Sequence, residues 1–289
     1  MRAERSNEAA LKPRHQESGF ILVVVLWILA ALAALAATYS VYVVNASFAT
    51  QVNDDRLRIR NAISSGIELA AYQLLAAEPN DAPPPRGAFT VRLAQSTINV
   101  SFVSESARVD LNAAPKALLA GLFAAVGVSS SNASSFADRI VGWRKKEDGA
   151  GQNAEAEDYK EAGLDYQPRQ GSFQNVLELA LVLGIPPYIV ERVLPLVTVY
   201  SGAGQVDVRV APPEVLSALP GITPEQLQKV LAQRAQNPQD GQALLKLLGS
   251  AGAWANASEN PAARVDVQIR LDNGYLDQPN VLQPAQVSR

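Results

Sequence analysis

Five carboxylates, the residue type that could bind a cation, crowd the short stretch "EDGAGQNAEAED": Glu147, Asp148, Glu155, Glu157 and Asp158. Oxygen ligands on a flexible backbone rich in Gly, Ala and Asn suit a hard cation such as Ca²⁺. The spacing does not match an EF-hand loop, and a solvated acidic loop explains the same residues. On the residues alone, both interpretations stay open.

Two residue types limit the other chemistry. The chain has no cysteine, and its only histidine, His15, lies ahead of a long apolar run. A thiolate nucleophile, a Ser-His-Asp triad and a histidine-ligated zinc centre are therefore excluded from the body of the protein. A net charge of −3 gives no overall attraction for nucleic acid or anionic lipid. We expect a protein that is not an enzyme.

An uncharged stretch runs from Phe20 to Val44. A helix needs about 20 residues to span the hydrocarbon layer of a bilayer, so this stretch is long enough. By the positive-inside rule, the basic residues before it predict a cytoplasmic N-terminus. These residues are Arg2, Arg5, Lys12 and Arg14.

Three explanations of this stretch compete: a secretory signal cut after Ala34-Leu35-Ala36, a plain membrane anchor, and a third that starts from Gly19-Phe20. A small residue followed by an aromatic at the edge of an apolar run resembles the cleavage site of type IV prepilins and type II secretion pseudopilins. That resemblance implies cleavage after Gly19 and methylation of Phe20 by a membrane peptidase.

Most members of these families carry glutamate at the fifth mature position, which here is Val24. The resemblance implies that this carboxylate neutralises the N-terminal amine of an adjoining subunit inside the apolar filament core, where an unpaired charge is costly. A subunit with valine there has no partner for the amine of a subunit above it. We therefore expect this chain at the outermost position of a filament.

Apolar residues recur at three- and four-residue intervals from Val52 to Leu74. Together with the apolar stretch they predict one helix of about 55 residues that ends near Glu78, because prolines follow. Two helices with a break near Asn45 are the alternative.

Alternating apolar residues predict strands at Ala88–Leu93, Thr97–Val103 and Val265–Leu271, and Asp272-Asn273-Gly274 predicts a turn into Tyr275-Leu276. About 150 residues of helical sequence separate the two β regions, which predicts a helical module inserted into a small sheet.

The helical region contains an internal repeat. "VDLNAAPKALLAGL" (Val109–Leu122) aligns without gaps on "VDVRVAPPEVLSAL" (Val206–Leu219), and each copy continues into a second helix ending near Arg144 and Arg234. The alanine-proline pair in each copy is typical of a helix start.

Two further segments, "LPGITPEQLQKVL" and "LGIPPYIVERV", look like helix-hairpin-helix units, which makes a membrane-anchored DNA-binding protein the alternative function. Thr223 and Pro186 replace the usual second glycine, and Pro186 has no N–H to donate to phosphate. No lysine-arginine cluster flanks either hairpin. We therefore favour a packing role and expect no nucleic acid partner.

Several separate motifs resemble the minor pseudopilin K family of the type II (general) secretion pathway: "RVDLNAAP" (Arg108–Pro115), "YQPRQGSF" (Tyr166–Phe173), "ELALVLG" (Glu178–Gly184) and "TVYSG" (Thr198–Gly202). The prepilin junction without a glutamate at position five fits the same family. Pro168, Arg169, Gly171 and Phe173 are expected to set a turn, with Arg169 in a structural role.

The resemblance implies a single-pass inner-membrane protein with a periplasmic body. Its partners would be the prepilin peptidase and the minor pseudopilins I and J, with which it would form a tip complex. The tip initiates the pseudopilus and helps to export folded proteins across the outer membrane. The resemblance also implies bound calcium: "AEDY" supports Glu157 and Asp158 as ligands, and Asp148 completes the expected set.

The expected fold class is α+β, with a long, partly transmembrane N-terminal helix packed on a small antiparallel pseudopilin sheet and an inserted all-α module of helix-hairpin-helix or SAM-like repeats. The expected boundaries are a leader (1–19), the transmembrane (20–44) and periplasmic (45–79) halves of the helix, the first part of the sheet (86–108), the inserted domain (109–202), a second helical repeat (203–260), the second part of the sheet (261–278) and a tail (279–289).

Overall fold

The computed structural model describes residues 18–75, 84–93, 96–145, 154–258, 260, 262–272, 276–277 and 283–286. The chain divides into two compact units, Met1–Arg60 and Asn61–Arg289.

Helix α1 (Ser18–Leu75) is 58 residues long and belongs to both units. The stretch from Phe20 to Val44 has no glycine or proline and is rich in alanine and leucine, which have high helix propensity. The helix continues through Asn45, so the prediction of one long helix is confirmed and the alternative of a break there is wrong. The predicted end near Glu78 lies outside the described residues.

The remaining elements all lie in the second unit. The strands are β1 (Arg86–Leu93), β2 (Ser96–Ser104), β3 (Val109–Asp110), β4 (Val197–Thr198), β5 (Val206–Asp207), β6 (Ala255–Asn256), β7 (Ala262–Leu271), β8 (Leu276–Asp277) and β9 (Gln283–Gln286). The helices are α2 (Lys116–Ala125), α3 (Ser130–Arg144), α4 (Ala154–Glu161), α5 (Pro187–Val193), α6 (Pro213–Ser217), α7 (Pro224–Gln236) and α8 (Gly241–Leu248). Short 3₁₀ helices occur at Glu105–Ala107, Val176–Leu181, Leu194–Leu196 and Gly249–Trp254.

The main sheet is antiparallel, with the strand order β1-β2-β7-β8, and β9 also pairs with β7. On its core face Val100 lies opposite Val267 and Ile98 lies opposite Ile269, as alternating apolar residues require. The three predicted strands are confirmed. In the predicted turn after β7, Asn273 and Gly274 lie outside the described residues.

The second part of α1 packs on this sheet through small residues. Ala62, Gly66 and Ala70 follow at four-residue intervals and are buried on one face of the helix. A Cβ on Gly66 would lie 3.2 Å from the side chains of both Val100 and Val267. The small stripe therefore allows close approach of helix and sheet.

The internal repeat is a structural repeat. Strand β3 pairs in parallel with β4, and β5 pairs in parallel with β6. The two residues that begin each copy therefore form a short parallel strand pair with a later segment. Pro115 immediately precedes α2, and Pro212 immediately precedes α6. The predicted helix starts at the alanine-proline pairs are therefore confirmed.

In each copy, an arginine near the end of the second helix donates hydrogen bonds to the turn that precedes the first helix. Arg144 donates to the carbonyl oxygens of Leu111 (2.5 Å) and Ala114 (2.7 Å). The carbonyl oxygens at the aligned positions of the second copy accept from Arg234: Val208 (3.2 Å) and Ala211 (2.6 Å). Each guanidinium satisfies carbonyls that the turn leaves without a backbone partner.

The helix-hairpin-helix or SAM-like assignment is not confirmed. Gly221, with φ 81°, does join two α-helices, α6 and α7. In the other segment the element before Gly184 is the 3₁₀ helix Val176–Leu181 rather than an α-helix. The inserted region is a helical module built on a repeat.

Candidate functional site

The apolar part of α1 leaves its side chains exposed. Phe20–Ser47 is long and apolar enough to cross a membrane, and no part of its most apolar window is buried by the rest of the chain. Exposing so many large apolar side chains to water is unfavourable, so a bilayer or neighbouring helices must cover them. This single helix is compatible with a single-pass membrane anchor.

The predicted processing residues lie at the start of α1. Gly19 is the second residue of the helix, and Phe20 is 73% exposed. Val24 follows Phe20 by four residues, so the two lie on the same helical face, and Val24 is 39% exposed. A carboxylate at position 24 would therefore lie one turn from an amine on Phe20, whereas valine leaves this face neutral.

The predicted metal ligands are not brought together within the described residues. Asp148 lies outside those residues, Glu157 is exposed on α4, and Asp158 pairs with Arg139 of α3. No group of three potential metal-binding side chains occurs in the described part of the chain. Calcium binding by Glu157, Asp158 and Asp148 stays a prediction.

Arg139 links two acids of α4 to α3. Its Nη1 lies 3.2 Å from Glu155 Oε2 and also donates to Asp158 Oδ2. Burial alone would lower the pKa of Arg139, but its bonds to Asp158 and Glu155 outweigh that effect and raise it. Burial raises the pKa of Glu155 despite the nearby guanidinium, and the buried Glu155 Oε1 has no hydrogen-bond partner.

An aromatic cluster anchors α4 from the other side. Tyr159 is fully buried, with ring centroids 6.0 Å from Trp143 and 5.9 Å from Tyr166. Phe173 stacks on Trp143 at 5.9 Å. Tyr159 Oη accepts a 2.8 Å hydrogen bond from the Leu183 N–H, and burial raises the pKa of Tyr159 to about 12. Sequence reasoning missed this cluster, because its aromatics come from separate segments.

The "YQPRQGSF" motif has the structural role that was predicted. Arg169 forms a two-pronged pair with Glu178, at 2.8 and 2.9 Å, and Glu178 also accepts from the Gln174 N–H. Asn112 exchanges two hydrogen bonds with the backbone of Phe173, which ties this turn to the first repeat. These hydrogen bonds hold the loop that contains the motif in place.

A buried carboxylate, also missed by sequence reasoning, lies where the chain leaves the sheet. Glu105 is fully buried and accepts from Arg264 Nε at 2.9 Å, with Arg108 Nη1 3.6 Å away. Arg108 Nε donates to the Pro195 carbonyl oxygen at 3.1 Å. These contacts tie β7 and the helical module to the same short segment.

The starts of α5 and α7 do not favour DNA binding. Pro186 is the residue that precedes α5, and it has no N–H. The Thr223 side chain accepts from the Gln226 N–H in a capping box, which already satisfies one N–H at the start of α7.

An exposed apolar N-terminal helix is followed in the chain by a small antiparallel sheet, with a helical module between two of its strands. Two family models, both described as type II secretion system (T2SS), protein K, match residues 96–202 and 206–266. Together these matches cover more than half of the chain, and the chain belongs to the type II secretion system protein K family. The family supports a role as a minor pseudopilin, a structural component, and it is not known as an enzyme family.

A solved structure shares the fold. It is a chain of the GspK-GspI-GspJ complex from the type 2 secretion system of enterotoxigenic Escherichia coli, with a TM-score of 0.52 and 16% sequence identity over 76% of this chain and 89% of that chain. Among curated proteins no match was found.

Proposed function

We propose that this chain is the minor pseudopilin at the tip of a type II secretion pseudopilus, where it initiates assembly and helps to export folded proteins across the outer membrane. The observation that carries the proposal is the match of both halves of the helical module to the protein K family. The exposed apolar helix supplies the part that a filament subunit needs to bundle with its neighbours.

The proposed maturation is cleavage by the prepilin peptidase after Gly19, followed by methylation of Phe20. Support comes from the junction itself and from its position at the start of α1, where the apolar run begins. The basic residues ahead of the helix support a cytoplasmic N-terminus, an inner-membrane span and a periplasmic body.

The proposed tip position follows from the neutral side chain of Val24. In the pseudopilin families the carboxylate at this position pairs with the amine of the next subunit, and an unpaired ammonium in hydrocarbon is costly. Because Val24 cannot form that pair, a subunit stacked above this chain would leave its amine unpaired. The chain can still be followed by subunits below it.

The proposed partners in the tip are the minor pseudopilins I and J. The solved relative was determined as a GspK-GspI-GspJ complex, and this chain shares its fold over most of that chain's length. Co-purification of the three full-length proteins from membranes tests this part.

Ca²⁺ remains a proposed ligand of the acidic stretch, through Glu157, Asp158 and Asp148. The support is the chemistry of the donor set, because oxygen-only ligands suit this cation. Isothermal calorimetry with CaCl₂ tests it, and absence of a binding isotherm would contradict it.

Mass spectrometry of the N-terminus tests the proposed maturation. An N-methylated Phe20 supports the pseudopilin, a chain that begins at Ala37 indicates a secretory signal, and a retained Met1 indicates a plain anchor. Gly19→Val should block processing, whereas the matched variant Ala36→Val should be processed normally. Normal processing of Gly19→Val would contradict the proposal.

A further inference from the structure

Helix α4 is the most acidic helix of the module, and the protein's own groups hold it in place. Glu155 and Asp158 are three residues apart, so they lie on one face of the helix. Both carboxylates meet the same nitrogen, Arg139 Nη1, which comes from α3. A single guanidinium thus bridges the two helices.

The surface of α3 leaves room for this arrangement. Gly142 lies in α3 three residues after Arg139, and a Cβ there would lie 2.8 Å from Glu155 Oε2 and 2.9 Å from Glu155 Cδ. Glycine inside a helix is unfavourable by about 1 kcal/mol relative to alanine. Its presence under the Glu155 carboxylate is explained by the close packing of the acidic side chain on α3.

Tyr159, the residue after Asp158, fixes α4 in the core. Tyr159 is fully buried against Trp143 of α3, and its hydroxyl accepts from the Leu183 N–H. One side of α4 is therefore held by apolar packing and the adjoining side by Arg139. None of these contacts requires a bound ion.

We propose that Arg139 acts as a built-in cation that docks the acidic helix α4 on α3, so that the docking does not depend on a metal ion. A divalent cation that bound Asp158 Oδ2 would have to displace the guanidinium from that oxygen. The inference rests on the contacts of Arg139 with Glu155 and Asp158, which form without calcium.

Hydrogen–deuterium exchange on the full-length protein in detergent tests the inference through the amides of α4. The amides of α4 in the wild-type protein should stay protected in EGTA. Arg139→Gln should make α4 exchange about 10- to 100-fold faster in EGTA, because two charge-assisted hydrogen bonds are lost and two carboxylates face each other unpaired. Arg139→Lys should restore part of the protection, since an ammonium keeps the positive charge on a shorter side chain.

The matched control is Lys116→Gln. Lys116 of α2 pairs at 2.6 Å with Asp138 of α3, the helix that also carries Arg139. Both side chains are about half exposed, so exchange in α4 should not change. If Arg139→Gln does not fold, Asp158→Asn tests the same bridge and should give a smaller acceleration confined to α4.

Two results would overturn the inference: wild-type protection of α4 that disappears in EGTA, or an Arg139→Gln variant whose α4 exchanges as slowly as the wild type. Failure of the calcium proposal gives a different result, namely no calorimetric binding to the wild type with exchange of α4 unchanged.

Discussion

Adding one methyl group at Gly121 should destabilise the helical module. Gly121 lies in α2, and a Cβ there would be 1.9 Å from the carbonyl oxygen of Ala218 and 3.0 Å from its carbonyl carbon. Ala218 is the C-cap residue of α6, so the contact joins the two copies of the repeat, and it is 1% exposed. The obstacle is backbone, which cannot rotate away as a side chain would.

The magnitude follows from two opposing effects. Overpacking a well-packed core costs about 1–3 kcal/mol, and a clash with backbone belongs at the upper end of that range. Replacing a helical glycine by alanine returns about 1 kcal/mol of helix propensity. We therefore expect Gly121→Ala to lower the free energy of unfolding by about 2 kcal/mol. For a unit of this size, that change lowers Tm by about 4–8 °C.

The assay is thermal unfolding of the full-length protein in detergent, followed by circular dichroism and by tryptophan fluorescence, to which the buried Trp143 contributes. Gly171→Ala is the control, because a Cβ there would meet its nearest atoms at 3.9 Å, an ordinary contact. Its Tm should stay close to that of the wild type. An unchanged or raised Tm for Gly121→Ala would show that the two copies of the repeat do not pack as closely as the structure has them.

Three further predictions concern single residues. Val24→Glu should leave pseudopilus assembly intact, since the family accepts a carboxylate at this position, whereas Val25→Glu should impair it; loss of assembly with Val24→Glu, scored by electron microscopy, would refute the tip interpretation. Burial raises the pKa of Tyr159 to about 12, whereas a free tyrosine has a pKa of about 10. This group should therefore not affect the free energy of unfolding below about pH 10. The free energy of unfolding should fall as the pH rises from about 10 toward 12, because the unfolded state loses its proton first. Tyr159→Phe should remove that fall but lower stability at neutral pH by about 1–3 kcal/mol, because the Leu183 N–H loses its acceptor; urea unfolding from pH 7 to 12 measures both effects. Gln170→Gly should stabilise the protein by about 0.5–1 kcal/mol in the same assay, because Gln170 has φ 53°, a left-handed conformation that glycine adopts without strain; a lower stability would contradict that reasoning.

The elements with a periodic pattern could be predicted from the sequence. The uncharged run from Phe20 to Val44 and the alternation in Val265–Leu271 depend on neighbours in the chain, and both appear as predicted. The repeat was visible because two gapless copies share their turn and helix start. The motif around Arg169 was correctly assigned to a turn, although its partner Glu178 was not named.

The polar contacts could not be predicted in the same way. Glu105 looks like any other acid in the sequence, yet it is fully buried beside Arg264, which is far away along the chain. Asp158 is predicted as a calcium ligand, and in the described part of the chain its partner is Arg139, which also meets Glu155. Which charges meet depends on how the helices pack, and no local spacing records that.

The sequence by itself determined the apolar helix, the strands and the repeated unit, because hydrophobic periodicity acts over a few residues and needs no knowledge of distant contacts. Only the tertiary structure decided the partners of the buried charges and the close approach of α2 and α6 at Gly121. Those contacts join residues from different elements, and their strength depends on distance and burial, which exist only once the chain has folded.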